Sequence, residues 1–271
     1  KLENSPVKIL TLESKNHFDL SSYLSLRRII DDKNIDIIHT HPNATGSIAR
    51  LVAATTDVDI VDTRHNDHRH FNWYQRLPTI LPSLFTDRYV SNSKNTQQSF
   101  TSIENTLLSL GGGTHEVVYN GVDPMNIDEL PPEPDGLPDG PRIVNVARYV
   151  PQKNHETLVR SMEHIQDEHP EASLILIGRG PKYEEISQLI SRLNLEDTVI
   201  QTGYLPQRSQ VFSVVANSDV FVVPSWYEGF CIAAVEAMLT GTPIVASDIS
   251  VLREVVGRVG LFTDPSDPSM F

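Results

Sequence analysis

The sequence predicts an α/β protein with two domains, each built on a parallel sheet. Short runs rich in valine and isoleucine alternate with helical patterns along nearly the whole chain, as in successive βαβ units. The length of 271 residues is enough for two medium-sized domains. One stretch rich in proline and glycine interrupts the alternation near the middle of the chain. Together these observations favour two sheets over one large sheet.

The predicted strands are short apolar runs bounded by glycine, proline or aspartate. They are Val7–Leu12, Ile35–His39, Ile60–Thr63, Arg88–Ser91, Glu116–Tyr119, Arg142–Ala147, Ser173–Ile177, Val199–Gln201, Val220–Val223 and Pro243–Ser247. Helical patterns fill the intervals. The predicted helices are Leu20–Asp32, Thr45–Thr55, Lys94–Ser102, His155–Glu168, Tyr183–Leu193, Arg208–Asn217, Cys231–Leu239 and Ser250–Val256.

The domain boundary is predicted at Leu130–Pro141, which holds five prolines and two glycines in twelve residues. Such a segment does not form regular structure. We therefore expect an N-terminal domain over residues 1–124, a linker over 125–141 and a C-terminal domain over 142–271. Ligands of open parallel sheets bind beyond the carboxyl ends of the strands, so a site is expected in a cleft between the two sheets.

The net charge and the cysteine content bear on the partners and the cellular location of the protein. With 22 basic and 35 acidic residues, the net charge is −13, which argues against nucleic acid as a partner. The single cysteine, Cys231, cannot form an internal disulfide, so a cytoplasmic location is predicted. An acidic surface also suits a salt-rich cytoplasm. We predict a halophilic protein, and maximum stability at low rather than molar salt would contradict this.

The segment after Val220 is the strongest candidate for a functional site. A predicted strand ends at Pro224, a loop holds Glu228, and a helix begins near Cys231. The free N–H groups and dipole of a helix N-terminus favour an anion. Glu236 lies in the same helix, so two carboxylates are expected near the end of one strand. Taken alone, the two residues favour the simpler interpretation of a solvated loop glutamate and a partner on the helix.

Six segments, in order along the chain, resemble the family 4 retaining glycosyltransferases of the GT-B fold. They are IIHTHPNATG from residue 37, VVYNGVD from 117, NVARYVPQKN from 145, ILIGRGP from 175, EGFCIAAVEAM from 228 and GTPIVASDISVLREVV from 241. The resemblance implies two Rossmann-like domains with parallel sheets facing a central cleft. It also implies that the chain is an internal piece, without the family's first βαβ unit and terminal helices.

The resemblance assigns roles to the donor-binding residues. Arg148 and Lys153 look like the pair that grips the donor diphosphate, a task suited to a guanidinium and an ammonium. Glu228 corresponds to the glutamate that contacts the donor sugar, and the backbone N–H groups of residues 229–231 help to hold sugar and phosphate. These three residues are Gly229, Phe230 and Cys231. Glu236 is similar to the carboxylate that accepts hydrogen bonds from the ribose hydroxyls. Cys231 is interpreted as a tolerated small residue and not as a nucleophile.

The resemblance also implies roles for a histidine of the N-terminal domain and for two loops of the C-terminal domain. His41 looks like the histidine that points at the transferring sugar from across the cleft, with a turn histidine as the alternative; His39 is expected to be buried and structural. Two further segments resemble the loops beside the nucleotide and its base. Their residues are Gly178, Gly180, Tyr204 and Leu205.

Other residue patterns could indicate different chemistry. Asp57-Val-Asp59 is a DxD triplet, but it precedes a strand. The His65–His70 segment could bind a metal, although a polar loop lining the acceptor site is favoured. Gly111–Gly113 has no P-loop lysine and is predicted to be a turn. No metal is therefore assigned.

The resemblance implies a retaining hexosyltransferase that needs no metal and no cofactor besides its co-substrate, a nucleotide-diphosphate sugar. The acceptor would be a glycan, a lipid-linked group or a small polyol. Two alternatives remain: a nucleotide-sugar 2-epimerase of the same fold, and an inactive nucleotide-sugar-binding subunit. Peripheral attachment to the inner membrane face also stays open, although no basic amphipathic helix supports it.

Overall fold

The computed structural model describes Lys8, Leu10, Arg69 and residues 20–41, 44–67, 80–123 and 129–271. The chain divides into two compact units, Lys1–Val118 and Tyr119–Phe271. Every strand pairing described in either unit is parallel. Among the described residues, no helix is long and apolar enough to cross a membrane.

The described residues of the N-terminal unit form a four-stranded sheet in the order β1-β2-β3-β4. Helices connect the first strand to the second and the third to the fourth, as the alternation predicts. In chain order the elements are α1 (Leu20–Lys33), β1 (Ile37–Thr40), α2 (Ala44–Ala53), β2 (Asp59–Arg64), β3 (Arg88–Ser91), α3 (Lys94–Gln98), α4 (Ser102–Leu110) and β4 (Thr114–Val117); a 3₁₀ turn spans Leu81–Phe85.

The core of the N-terminal unit contains charged groups as well as apolar ones. Asp62 is fully buried and lies 2.7 Å from Arg50 and 3.1 Å from Arg64. Both guanidinium groups also donate to the hydroxyl of Tyr89, at 2.8 and 3.0 Å, and the Tyr89 ring packs edge-on against Phe100. Pairing and hydrogen bonding offset the cost of burying these charges.

The C-terminal unit carries a six-stranded sheet in the order β10-β9-β8-β5-β6-β7. The reversal between β8 and β5 makes it a doubly wound sheet. Its elements are β5 (Arg142–Val146), α5 (His155–Glu168), β6 (Ser173–Ile177), α6 (Tyr183–Arg192), β7 (Val199–Gly203), α7 (Arg208–Ala216), β8 (Val220–Val223), α8 (Ile232–Thr240), β9 (Ile244–Ser247), α9 (Ser250–Val256) and β10 (Leu261–Thr263), with 3₁₀ turns at Pro151–Lys153 and Pro268–Met270.

The central strands of this sheet are buried on both faces, which explains their continuous apolar sequence. All five residues of β6 are buried, and β8 is buried from Phe221 to Val223. The proline-rich segment packs onto the same unit: Glu133 pairs with Arg142 at 2.8 Å, and Ser213 donates to the carbonyl of Pro131 at 2.7 Å. Its described residues form neither an α-helix nor a strand.

Several predicted element boundaries were wrong. The predicted helix Lys94–Ser102 ends at Gln98. The next helix, α4, was not predicted; it begins at Ser102, where Thr101 and Glu104 form a reciprocal capping box. The strand predicted at Glu116–Tyr119 ends at Val117, and strand β10 was not predicted. The strand predicted at Val7–Leu12 lies outside the described residues apart from Lys8 and Leu10, which are not in a strand.

Candidate functional site

The predicted donor residues of the C-terminal unit share one edge of the sheet. Arg148 and Lys153 follow β5, Gly178 and Gly180 follow β6, Tyr204 and Leu205 follow β7, and residues 228–231 follow β8. All four strands run parallel, so their carboxyl ends meet at the same edge. Ligands bind at this edge in doubly wound sheets.

An ion pair between Lys153 and Glu228 lies at the centre of this edge. The Lys153 ammonium contacts Oε1 of Glu228, and their side chains are only 17% and 5% exposed. Ser225 donates to the same carboxylate oxygen at 2.8 Å, while Gln152 approaches Oε2 at 3.4 Å. Glu228 is therefore a buried carboxylate with donors on both oxygens.

Backbone contacts hold the two loops of this pair together. The side-chain amide of Gln152 donates to the carbonyl of Tyr227 at 2.8 Å, and the Trp226 N–H donates to the Gln152 carbonyl at 2.9 Å. Asn154 adopts a left-handed conformation, with φ of 51°, which asparagine tolerates better than most residues. Its amide donates to the carbonyls of Pro224 and Pro265, at 3.0 and 2.9 Å.

The electrostatics of this pair set the protonation of its neighbours. Burial disfavours the charged Lys153, but the Glu228 carboxylate outweighs it and leaves the pKa of Lys153 raised. Burial, with Lys153 nearby, lowers the pKa of His155 to about 4. Burial and the negative charge of Glu228 raise the pKa of the Cys231 thiol to about 12. Cys231 therefore keeps its proton at neutral pH, which makes it a poor nucleophile.

Gly178 and Gly180 fit closely against the loop that carries Arg148. A Cβ atom on Gly178 would lie 1.9 Å from the carbonyl oxygen of Ala147, and one on Gly180 would lie 2.5 Å from that of Tyr149. Gly178 also has a φ of +150°, which side chains rarely adopt. Both glycines therefore allow the loops after β5 and β6 to pack backbone against backbone.

The remaining residues of the nucleotide-side loops differ in exposure. Arg148 is exposed, and its side chain has no hydrogen bond or ion pair with any described residue. Tyr204 is also exposed, and the Arg179 guanidinium lies 4.6 Å from its ring centroid. Leu205 packs against the apolar core. Arg148 and the Arg179–Tyr204 pair are thus open to a ligand, whereas the side chain of Leu205 packs inward.

The N-terminus of α8 follows the Glu228 loop directly. Cys231 is its N-cap residue in a left-handed conformation, with φ of 74° and ψ of 72°. Such backbone is costly for a residue with a Cβ atom. Gly229, Phe230 and Cys231 are all buried, and the Tyr119 ring lies 5.9 Å from that of Phe230. This unusual turn sets the direction in which α8 leaves the loop.

Glu236 lies on α8 and pairs with an arginine of the neighbouring helix. Nη2 of Arg208, the first residue of α7, lies 2.5 Å from Oε1 of Glu236. Burial raises the pKa of Glu236, and Arg208 counteracts that rise. Glu236 is therefore a partly buried carboxylate with a cation beside it.

In the N-terminal unit, three of the described histidines cluster at the carboxyl ends of β1 and β2. Nδ1 of His41 lies 2.7 Å from Nε2 of His65, and the two rings stack. Burial and the neighbouring His41 lower the pKa of His65. His39 shares a 2.7 Å hydrogen bond with Thr63. The prediction that His39 is buried was wrong, because its position on β1 is exposed.

The residues that could form the metal sites suggested by the sequence are described in part. Within the described ranges, no group of three or more histidine, cysteine, aspartate or glutamate side chains could hold a metal ion. His68 and His70 lie outside those ranges. Asp57 and Asp59 are exposed at the start of β2, which is the amino end of the strand. Gly111–Gly113 forms the turn before β4, as predicted.

Family comparisons match both halves of the chain. Residues 127–271 match the family described as "Glycosyl transferases group 1", and residues 2–125 match "Glycosyltransferase Family 4". The chain belongs to the glycosyl transferases group 1 family. The predicted GT-B fold, with two Rossmann-like domains on parallel sheets, is confirmed.

Relatives of this chain come from distant organisms. A subunit of the human phosphatidylinositol N-acetylglucosaminyltransferase is 28% identical over 255 residues, which cover 93% of this chain and 51% of the relative. A GDP-mannose-dependent alpha-(1-6)-phosphatidylinositol monomannoside mannosyltransferase of Mycolicibacterium smegmatis is 30% identical over 266 residues, covering 89% and 66%. The chain thus spans about half to two-thirds of these two proteins.

Solved structures show the same fold. The HepE protein of Anabaena in complex with UDP-glucose superposes with a TM-score of 0.75 at 21% identity, covering 92% of this chain and 69% of that one. Sucrose-phosphate synthase from Thermosynechococcus elongatus superposes with a TM-score of 0.72 at 22% identity, covering 99% and 70%. At these identities the likeness concerns the fold.

Sequence reasoning about this member of the group 1 family missed the residues that position the two glutamates. Gln152 and Ser225 hold Glu228, and Arg208 holds Glu236. One signal for Arg208 was available: a cation in the first turn of a helix opposes the helix dipole, so a tertiary partner is expected. No comparable signal marks Gln152 or Ser225.

Proposed function

We propose that this protein transfers a sugar from a nucleotide-diphosphate sugar to an acceptor hydroxyl with retention of anomeric configuration. The observation that carries the proposal is the buried Lys153–Glu228 pair beside the exposed Arg148, at the carboxyl edge of the C-terminal sheet. In a chain of net charge −13, this edge gathers Arg148, Lys153 and Arg179, of which Lys153 has a carboxylate partner among the described residues. A cationic edge in an acidic protein suits a diphosphate.

The proposed chemistry follows from these charges. The acceptor oxygen forms a bond to the anomeric carbon on the face that the nucleotide leaves. The bond from that carbon to the diphosphate oxygen breaks, and the electron pair stays on the diphosphate. Arg148, Lys153 and the N-terminus of α8 stabilise the charge that develops there. The acceptor proton passes to the departing diphosphate, so the proton and charge balance without a protein base.

Glu228 and Glu236 have separate roles in this proposal. Glu228, held by Ser225 and Gln152, accepts hydrogen bonds from the donor sugar, and Glu236 accepts them from the ribose hydroxyls. The diphosphate draws Lys153 partly away from Glu228, because both anions compete for its ammonium. His41 contacts the transferring sugar, as the family resemblance implies.

Neither a metal nor a further cofactor takes part in the proposed reaction. The acceptor belongs to the glycans, lipid-linked groups or polyols, and the relatives favour a lipid-linked group: the name of the M. smegmatis relative specifies a phosphatidylinositol mannoside. Such an acceptor places the proposed transfer at a membrane surface, for which we propose the cytoplasmic face.

The first test is a thermal-shift titration with UDP, GDP, ADP and their sugar conjugates, with and without EDTA. A ligand that binds only the native state at about 100 times its Kd adds about 2.7 kcal/mol. We expect one base to stabilise the protein regardless of EDTA, and Arg148→Ala to abolish the effect. Stabilisation by no nucleotide, or only with a divalent cation, would contradict the proposal.

Turnover separates transfer from the alternative chemistries. With the stabilising donor and a lipid-linked acceptor, Glu236→Ala should raise the donor KM, whereas Lys153→Ala should mainly lower kcat. The matched control is Arg160→Gln, which alters an exposed ion pair with Glu156 on α5. Epimerised nucleotide sugar formed without acceptor would instead indicate an epimerase, and binding without turnover would indicate an inactive subunit.

A further inference from the structure

The ion pair between Arg208 and Glu236 lies in surroundings that otherwise disfavour a charge. The Glu236 side chain is 18% exposed and Arg208 is 44% exposed. The crevice around Glu236 is mostly apolar, and its lining includes Val146, Val211 and Ala233. The Arg208 guanidinium also lies 5.4 Å from the ring centroid of Phe212, one turn along its own helix. Packing on that ring limits the directions in which Arg208 can point.

Arg208 is the charged partner that the structure gives Glu236. The other residues of α8 are uncharged, and so are those of β8 and β9. On the neighbouring α9, Arg253 pairs with Asp248, and Glu254 accepts a hydrogen bond from Tyr119. Burial raises the pKa of Glu236 and Arg208 opposes that rise, whereas no other charge contributes noticeably.

The ion pair with Arg208 leaves one oxygen of the Glu236 carboxylate available to accept hydrogen bonds. Arg208 contacts Oε1 of Glu236, and Oε2 forms no hydrogen bond with any described residue. An ionised carboxylate can accept hydrogen bonds from both hydroxyls of a ribose, whereas a protonated one loses acceptor capacity. A cation fixed on one oxygen therefore favours the charged carboxylate and leaves the other oxygen without a partner among the described residues.

We propose that Arg208 is a positioning residue for nucleotide binding, which holds the Glu236 carboxylate charged and oriented for the two ribose hydroxyls. This inference rests on the proposed function, because it takes a nucleotide as the ligand. Arg208 acts through Glu236 and does not touch the diphosphate. It thereby sets the pH range in which the protein distinguishes ribose from 2′-deoxyribose.

The test is calorimetric titration from pH 5.5 to 8.5 with UDP, GDP and ADP and with the 2′-deoxy form of whichever binds. The variants are Arg208→Gln, Arg208→Lys and Glu236→Gln, with Arg160→Gln as the matched control for loss of an exposed arginine. For Arg208→Gln we expect about tenfold weaker binding at pH 5.5, where Glu236 loses both its charge and its orientation, and only about threefold weaker binding at pH 8.5, where it loses the orientation alone. Arg208→Lys should restore most of the affinity.

The outcomes distinguish this inference from the proposed function. Glu236→Gln should bind weakly at every pH without preferring ribose. If Arg208→Gln weakens binding equally at every pH and equally for both sugars, Arg208 contacts the phosphates or only supports the fold, and the inference is wrong. If the wild-type protein binds none of the three nucleotides, the proposed function fails and the inference fails with it.

Discussion

Removing the ammonium from the Lys153–Glu228 pair tests how the site is held together. In Lys153→Met the side chain keeps an unbranched apolar stem and loses the ammonium, so Glu228 stays buried without a cation. Breaking a buried ion pair from one side costs about 3–5 kcal/mol. Ser225 and Gln152 still donate to the carboxylate, so we expect a loss of about 2–3 kcal/mol in the free energy of unfolding.

The assay is urea unfolding followed by tryptophan fluorescence. The chain has two tryptophans, so a Trp73→Phe background leaves Trp226, which hydrogen-bonds to Gln152 beside the pair. At an m-value of about 2 kcal/mol/M, the expected loss moves the midpoint down by about 1 M. The matched control is Lys182→Met, which opens the exposed pair with Glu185 and should cost less than about 1 kcal/mol.

A double variant keeps the test decisive if Lys153→Met folds poorly. Glu228→Gln removes the buried charge, so Lys153→Met combined with Glu228→Gln should regain at least half of the lost stability. The reasoning would be refuted if Lys153→Met cost no more than Lys182→Met. It would also be refuted if the double variant were as unstable as the sum of the two single variants.

Three further predictions concern the contribution of single residues to the stability of the fold. Thr101→Ala removes the capping box of α4 and should cost about 1 kcal/mol, measured by thermal unfolding against Thr106→Ala in the same helix. Gly178→Ala forces a Cβ atom against a carbonyl and should cost at least about 2 kcal/mol, whereas Gly121→Ala meets no atom within 4 Å and should cost little. The pKa of His155 is lowered to about 4 from 6.5, so the folded protein favours the neutral ring. The stability that the neutral ring contributes is complete above pH 6.5, and about 3 kcal/mol of the free energy of unfolding is lost as the pH falls towards 4. In urea unfolding at a series of pH values, His155→Gln should lack this part of the acid destabilisation.

Local sequence signals predicted most of the secondary structure. The strands Arg88–Ser91, Ser173–Ile177 and Val220–Val223 were predicted to the residue, because apolar runs bounded by breakers indicate buried parallel strands. The helix boundary at Thr101 was missed, although its capping-box pattern is visible in the sequence. β10 was missed because three residues with a mixed burial pattern give little periodicity.

For the site, the sequence determined the residue types and their place at strand ends, whereas only the tertiary structure decided which charges meet. Lys153 and Glu228 are 75 residues apart, and they form a pair because β5 and β8 are neighbours in the sheet, with Val144 opposite Phe221. Arg208 meets Glu236 because α7 packs on α8. Periodicity and capping act over a few residues and can be read along the chain. Strand order and helix packing depend on the whole fold, and they decide which partner a buried charge finds.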